Sequence, residues 1–141
     1  GVNNVLNIIN LIVASIAAIS LIVGGVGITN TMYTSVLERT REIGVMKAIG
    51  AQNKDIRWIF LFESGLLGFV GGVIGAFIGL GMAFMASSIA GKALGVDLFE
   101  VSVSWPLIGL AIGFSFLIGI CSGLLPALQA SRLKPVEALR R

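Results

Sequence analysis

Glu38–Arg57 reads ERTREIGVMKAIGAQNKDIR and holds nearly half of the charged side chains in a chain of 141 residues. Long apolar runs lie on both sides of it. Read outward from this stretch, the fold follows from geometry: a short, basic, partly helical segment is held between two membrane spans. Glu38-Arg39-Thr40-Arg41-Glu42 suits a turn at the membrane surface. From Glu42 to Ile49 the spacing predicts a short helix that Gly50 stops. Ile43, Met46 and Ile49 share one face of it and Lys47 lies off that face. Asn53 can cap the next helix, which runs into the second span.

Composition supports a membrane protein. Hydrophobic residues make up 56% of the chain and charged residues 12%, about half the usual charged share of a soluble domain. Nineteen glycines occur without a collagen period, and glycine is commoner in membrane helices than in soluble ones. The net charge of +3 does not indicate nucleic acid, because the basic residues flank apolar runs with no interleaved aromatics. The lone Cys121 sits in an apolar run, where a small packing role is expected. There is no histidine, which removes the commonest general base and metal ligand. The chain begins at Gly1 rather than Met, and is read as a piece of a longer protein or a processed product. The first apolar run is too long for a signal peptide and lacks a basic leader.

Three spans are expected, at about 8–33, 59–89 and 105–128, each able to cross a hydrocarbon core of about 30 Å. Upstream of the first, Asn3, Asn7 and Asn10 share a face and Val5, Ile9 and Ile12 another. That pattern fits a helix entering the membrane from outside, or equally a frayed terminus. Within the first span, Gly24, Gly25 and Gly27 permit either close helix approach or a bend.

The second span carries two rows of small residues at a spacing of four. One is Ser64, Gly68, Gly72 and Ala76; the other is Gly71, Gly75, Gly79, Ala83 and Ser87. Such rows let backbones approach, and packing dispersion replaces the hydrophobic drive that lipid does not supply. Gly75→Leu is therefore expected to disturb helix packing. The third span repeats the device at Gly109/Gly113 and at Ser115, Gly119 and Gly123, and Pro126 should kink it or loosen its last turn.

Between the second and third spans, 91–104 reads as a polar connection with Gly91 and Gly95 as turn signals and Lys92, Asp97 and Glu100 as its charges. Ser104 suits an N-cap, Pro106 a first helical turn and Trp105 an interfacial anchor. After Pro135 the basic tail could form a short amphipathic helix. Charge sets the orientation. Segment 37–58 carries Arg39, Arg41, Lys47, Lys54 and Arg57; 90–104 carries Lys92 alone; the tail carries Arg132, Lys134, Arg140 and Arg141. The positive-inside rule places the first loop and the C-terminus in the cytoplasm, and the N-terminus and the 90–104 connection outside.

The chain has no Ser/His or Cys/His pair, no metal-spaced cluster and no phosphate-binding loop, so it is expected to catalyse nothing and to hold no cofactor or metal. Glu63 is the one acidic residue within an apolar segment. Either it pairs with a basic group on a neighbouring helix as an intramembrane ion pair, or it reaches the headgroup region and is solvated there. The short helix has two readings also: its apolar face lies on lipid headgroups, or it docks on a soluble cytoplasmic partner.

Three stretches, ERTREIGVMKAIGAQNKDI, FLFESGLLGFVGGVIG and PALQASRLKPVEALR, occur in this order, and with them the chain resembles the C-terminal membrane domain of FtsX/MacB-type ABC transporter permeases over essentially its whole length. The resemblance implies an all-α membrane protein of the cell membrane: three transmembrane helices in a single domain spanning 1–141, with an upstream span and an extracytoplasmic domain preceding it. It implies a pairing with a cytoplasmic ABC ATPase that binds ATP and Mg, and a homodimer or permease heterodimer in the bilayer.

The helix at about 42–49 would be the family's coupling element, with Arg39, Arg41, Glu42, Ile43, Met46, Lys47, Ile49 and Gly50 as its contact residues. Gly68, Gly71, Gly72, Gly75, Gly79 and Ala83 would pack stiff helices that carry ATPase motion outward. The function implied is coupling of ATP hydrolysis to export of an antibiotic, peptide or lipoprotein, or to other extracytoplasmic mechanical work. Two alternatives stand beside it: a mechanotransmitter that activates an extracellular cell-wall hydrolase without transport, and a non-transporting scaffold subunit.

Overall fold

The computed structural model describes residues 1–94 and 103–134, and every ordered element in them is helical. The order is α1 (Val2–Glu38), α2 (Thr40–Ala48), α3 (Asn53–Leu94) and α4 (Trp105–Ser131). Helices α1, α3 and α4 are long and apolar enough to cross a membrane. The expected turn at Gly95, the charges Asp97 and Glu100, and the helix after Pro135 lie outside the described residues.

Each long helix overruns its expected span. At 1.5 Å per residue the 37 residues of α1 and the 42 of α3 reach about 55 and 63 Å, roughly twice a hydrocarbon core. Hydroxyls explain how α1 stays helical through the polar stretch near its end. Thr31 and Thr34 each donate to the carbonyl four residues back, at 3.0 and 3.2 Å, so these hydroxyls do not compete for the helix's own amides. The expected surface turn at 38–42 shrinks to Arg39 alone (φ −96°, ψ 13°), after which α2 begins at once.

Local chemistry sets the boundaries of α2 and α3. Gly50 has φ +108°, a conformation open to glycine. Its N–H donates to the Lys47 carbonyl at 3.1 Å, and that of Ala51 to Met46 at 2.9 Å, the paired bonds of a Schellman stop. Helix α3 is not capped by Asn53. Instead Asp55 Oδ2 accepts from the Gln52 N–H at 2.9 Å, while the Gln52 carbonyl accepts from Asp55 and Ile56. A carboxylate at the third helical position reaches back because its geometry reaches the cap residue's amide.

Helix α4 packs along α3 and less extensively on α1. The α3–α4 seam is antiparallel and steps by four: Ser64 lies against Gly123, Gly68 against Gly119, and Gly72 against Ser115. Ser115 Oγ donates to the Gly68 carbonyl at 2.8 Å. The first small-residue row of α3 is thus the one that meets α4. Gly71, Gly75 and Gly79 face open space, where an added Cβ would meet nothing within 4 Å, and so do Gly109 and Gly113.

Pro126 lies inside α4, which continues through it to Ser131. A proline has no N–H, so the Ser122 carbonyl four residues back loses its helical partner. Thr29 of α1 supplies one: its hydroxyl lies 2.8 Å from that carbonyl and 3.0 Å from the Gly25 carbonyl of its own helix. Thr29→Val keeps the shape and removes the donor. It should cost about 1 kcal/mol in an SDS titration of the full-length permease, and less than half of that in a Pro126→Ala background, where an amide returns to Ser122.

The buried core is concentrated at the α2 end of the bundle. Met32 and Val36 of α1, Ile43 of α2, Ile56 and Phe60 of α3, and Ala127 and Ala130 of α4 form it, with Ile28, Met46, Ala51, Leu61 and Leu133 packed against it. Every residue from Val2 to Ser20 is exposed. All four helices therefore meet under α2, and the far half of α1 has no buried residue against the described residues.

Candidate functional site

The site is α2 with the helix ends around it. Nine residues long and only one residue from α1, it lies on the core through one face. Ile43 has 0% exposure, and Met46 packs partly buried on the same cluster. Ile49 is 82% exposed and Val45 46%; Arg41, Glu42 and Ala48 are exposed as well. The face that sequence periodicity grouped as Ile43, Met46 and Ile49 is therefore divided. Ile43 and Met46 close the chain's own core, because four helices converge there and this is their meeting point. Ile49 is the last residue before the Gly50 turn and swings away from it.

Lys47, expected off the apolar face, is four residues from Ile43 and lies on the same side of the helix, turned toward the end of α4. Its Nζ donates to the carbonyls of Ser131 and Leu133, at 2.5 and 2.7 Å. These are the groups that close α4. The Leu128 carbonyl accepts from Ser131 Oγ at 2.8 Å, those of Gln129 and Ala130 from the Arg132 and Leu133 amides, and that of Ser131 from Lys47. All four terminal carbonyls, which have no partner within their helix, are thus satisfied. Partial burial lowers the pKa of Lys47, and the negative end of the α4 dipole opposes that shift by favouring the ammonium.

At the other end of α2, Arg39 Nη1 stands 3.5 Å from both carboxylate oxygens of Glu63 on α3. Their side chains are 52% and 33% exposed. A pair this long and this open contributes about 0.5 kcal/mol, less than the charged, partly buried bonds of Lys47. The two cations at the ends of α2 thus tie it to two different helices, Arg39 to α3 and Lys47 to α4.

Sequence reasoning singled out Arg39, Lys47 and Glu63 but not these partners. Pro126 did carry one readable signal, since an internal proline always frees the carbonyl four residues back; the donor that answers it belongs to another helix and leaves no local trace. The packing residues divide as well: Gly68 and Gly72 lie in the α3–α4 seam, whereas Gly71, Gly75 and Gly79 lie outside it.

The family described as FtsX-like permease C-terminal matches residues 14–135, a range holding α2, the seam and the end of α4. The chain belongs to the FtsX-like permease C-terminal family. This FtsX-like domain is 45% identical over 139 residues to an uncharacterized ABC transporter permease of Methanocaldococcus jannaschii, covering 99% of the chain and 35% of that protein. It is 45% identical over 140 residues to the uncharacterized ABC transporter permease YknZ of Bacillus subtilis, covering 99% and 34%. It is also 45% identical over 140 residues to the macrolide export ATP-binding/permease protein MacB of Bdellovibrio bacteriovorus, covering 99% and 20%. The FtsX-like domain therefore spans about a third of the first two relatives and a fifth of the third. With three membrane-length helices, it is a multi-pass cell-membrane domain of the ABC permease class.

Proposed function

We propose that this domain couples a cytoplasmic ABC ATPase, hydrolysing ATP with Mg, to export across the membrane, with α2 as the element on which the ATPase docks. The observation that carries the reading is the outward surface of α2. Ile49 and Val45 are exposed on a helix whose other face is fixed in the core, and Arg41 and Glu42 flank them. An apolar anchor rimmed by charge is what a soluble protein surface can grip. The five Lys/Arg of segment 37–58 support a cytoplasmic position for α2.

The cargo to test first is a macrolide, the compound named in the MacB relatives. The unpartnered half of α1 and the outward Gly71/Gly75/Gly79 row support assembly with further helices, either upstream in the same protein or in a second permease. Ile49→Glu in the full-length permease should weaken ATPase association about tenfold or more, with little change in stability, measured by co-purification and by stimulated ATP hydrolysis in proteoliposomes. Unchanged association and hydrolysis in that variant would rule out α2 as the docking element.

A further inference from the structure

We propose that Lys47 is a positioning residue that carries the displacement of α2 into α4, so that the push enters the bundle through the end of its last helix rather than through the two helices that flank α2 in sequence. The inference rests on α2 being the ATPase-docking element. Chain connectivity alone would send the motion into α1, one residue away, and into α3, four residues away. The bonding points elsewhere. The ammonium of Lys47 holds the carbonyls of Ser131 and Leu133 at 2.5 and 2.7 Å, and it supplies the Ser131 carbonyl's partner.

The charged tie to α3 is weaker: it is 3.5 Å long and half open to solvent. From α4 the movement spreads without further joints. The Gly68/Gly119 seam, with its Ser115 hydrogen bond, carries it to α3. The Thr29 hydroxyl on the Ser122 carbonyl carries it to α1. Lys47 thus turns toward the end of α4, and the ATPase meets the exposed Val45 and Ile49 on the other side of the same segment.

The test uses the full-length permease with its ATPase in proteoliposomes and an environment-sensitive dye on Cys121. This residue is the chain's single cysteine and is exposed on α4; any upstream cysteine is replaced by serine. ATP is added and the emission change is recorded per assembled complex, a normalisation that a purely structural loss would not survive as a change. Lys47→Met keeps the aliphatic stem and removes the donors. It should leave ATPase association within about twofold of wild type while reducing the ATP-induced emission change about fivefold or more.

Lys47→Arg keeps a charged donor and should recover at least about half of the signal. An undiminished emission change in Lys47→Met overturns the proposal. Loss of ATPase association in Lys47→Met overturns it too, by making Lys47 part of the docking surface. A variant that does not accumulate is replaced by Lys47→Gln; if that also fails to assemble, Lys47 belongs to folding and the proposal falls. Ile49→Glu separates the two levels: normal association there removes the docking element itself, whatever Lys47→Met does.

Discussion

Gly68→Leu is expected to part α3 from α4 and to destabilise the domain by about 3 kcal/mol or more. A Cβ at Gly68 collides with the Ser115 carbonyl oxygen and comes within 3.0 Å of the Gly119 Cα. Both obstacles are backbone, so neither can rotate out of the way. The opposing residue is no more forgiving: a Cβ at Gly119 would lie 2.5 Å from the Ser64 carbonyl oxygen. Separation also removes the Ser115 hydroxyl from the Gly68 carbonyl. The effect should appear as early unfolding of the full-length permease in SDS and as poor accumulation in the membrane. Gly75→Leu, one row away, is the matching control. A Cβ there meets nothing within 4 Å among the described residues, and the change should alter stability by no more than about 0.5 kcal/mol. Lost assembly with unchanged unfolding at Gly75 would place a helix from outside this chain on that row. Equal destabilisation at both positions would contradict the seam.

Ile43→Ala is the second large effect, a loss of about 3 kcal/mol. The side chain has 0% exposure and sits where residues from all four helices converge, so the surroundings have little freedom to collapse into the space left. Ile49→Ala removes a side chain of the same composition from an 82% exposed position and should be nearly neutral for stability while weakening ATPase association. The measurement is a pair of unfolding midpoints together with association normalised to folded protein. An Ile43→Ala variant of normal stability and lost association would mean that Ile43 faces the partner.

The contrast between Ile43 and Ile49 shows where reading the sequence stops. Periodicity correctly signals that α2 is a helix with an apolar stripe, because the 3.6-residue repeat is local. It cannot say whether the stripe is covered by the same chain, since Ile56, Phe60, Ala127 and Ala130 arrive from far along the sequence. The same division holds for the glycine rows of α3. Both have the spacing for close packing, and only the chain's three-dimensional course decides that Gly68 meets α4 and Gly75 does not.

The spans were legible as apolar runs. The helices run past those spans, and in α1 the threonines near the end return their hydroxyls to their own helix. The Gly50 stop was legible because a positive φ is a local demand. Asp55 in place of Asn53 as the capping side chain was missed, since both residue types suit a helix start and their roles differ only in which atom reaches which amide.

The position of the core has a consequence for biogenesis. Ribosomes release α1, α2 and α3 before the residues that complete the core have been made. Until then Ile43 lacks Ala127 and Ala130, and Lys47 has no carbonyls to hold. The residues that close the core arrive with the last two turns of α4, so a chain stalled before Pro126 has the Gly68/Gly119 seam in place and still leaves Ile43 and Lys47 uncovered.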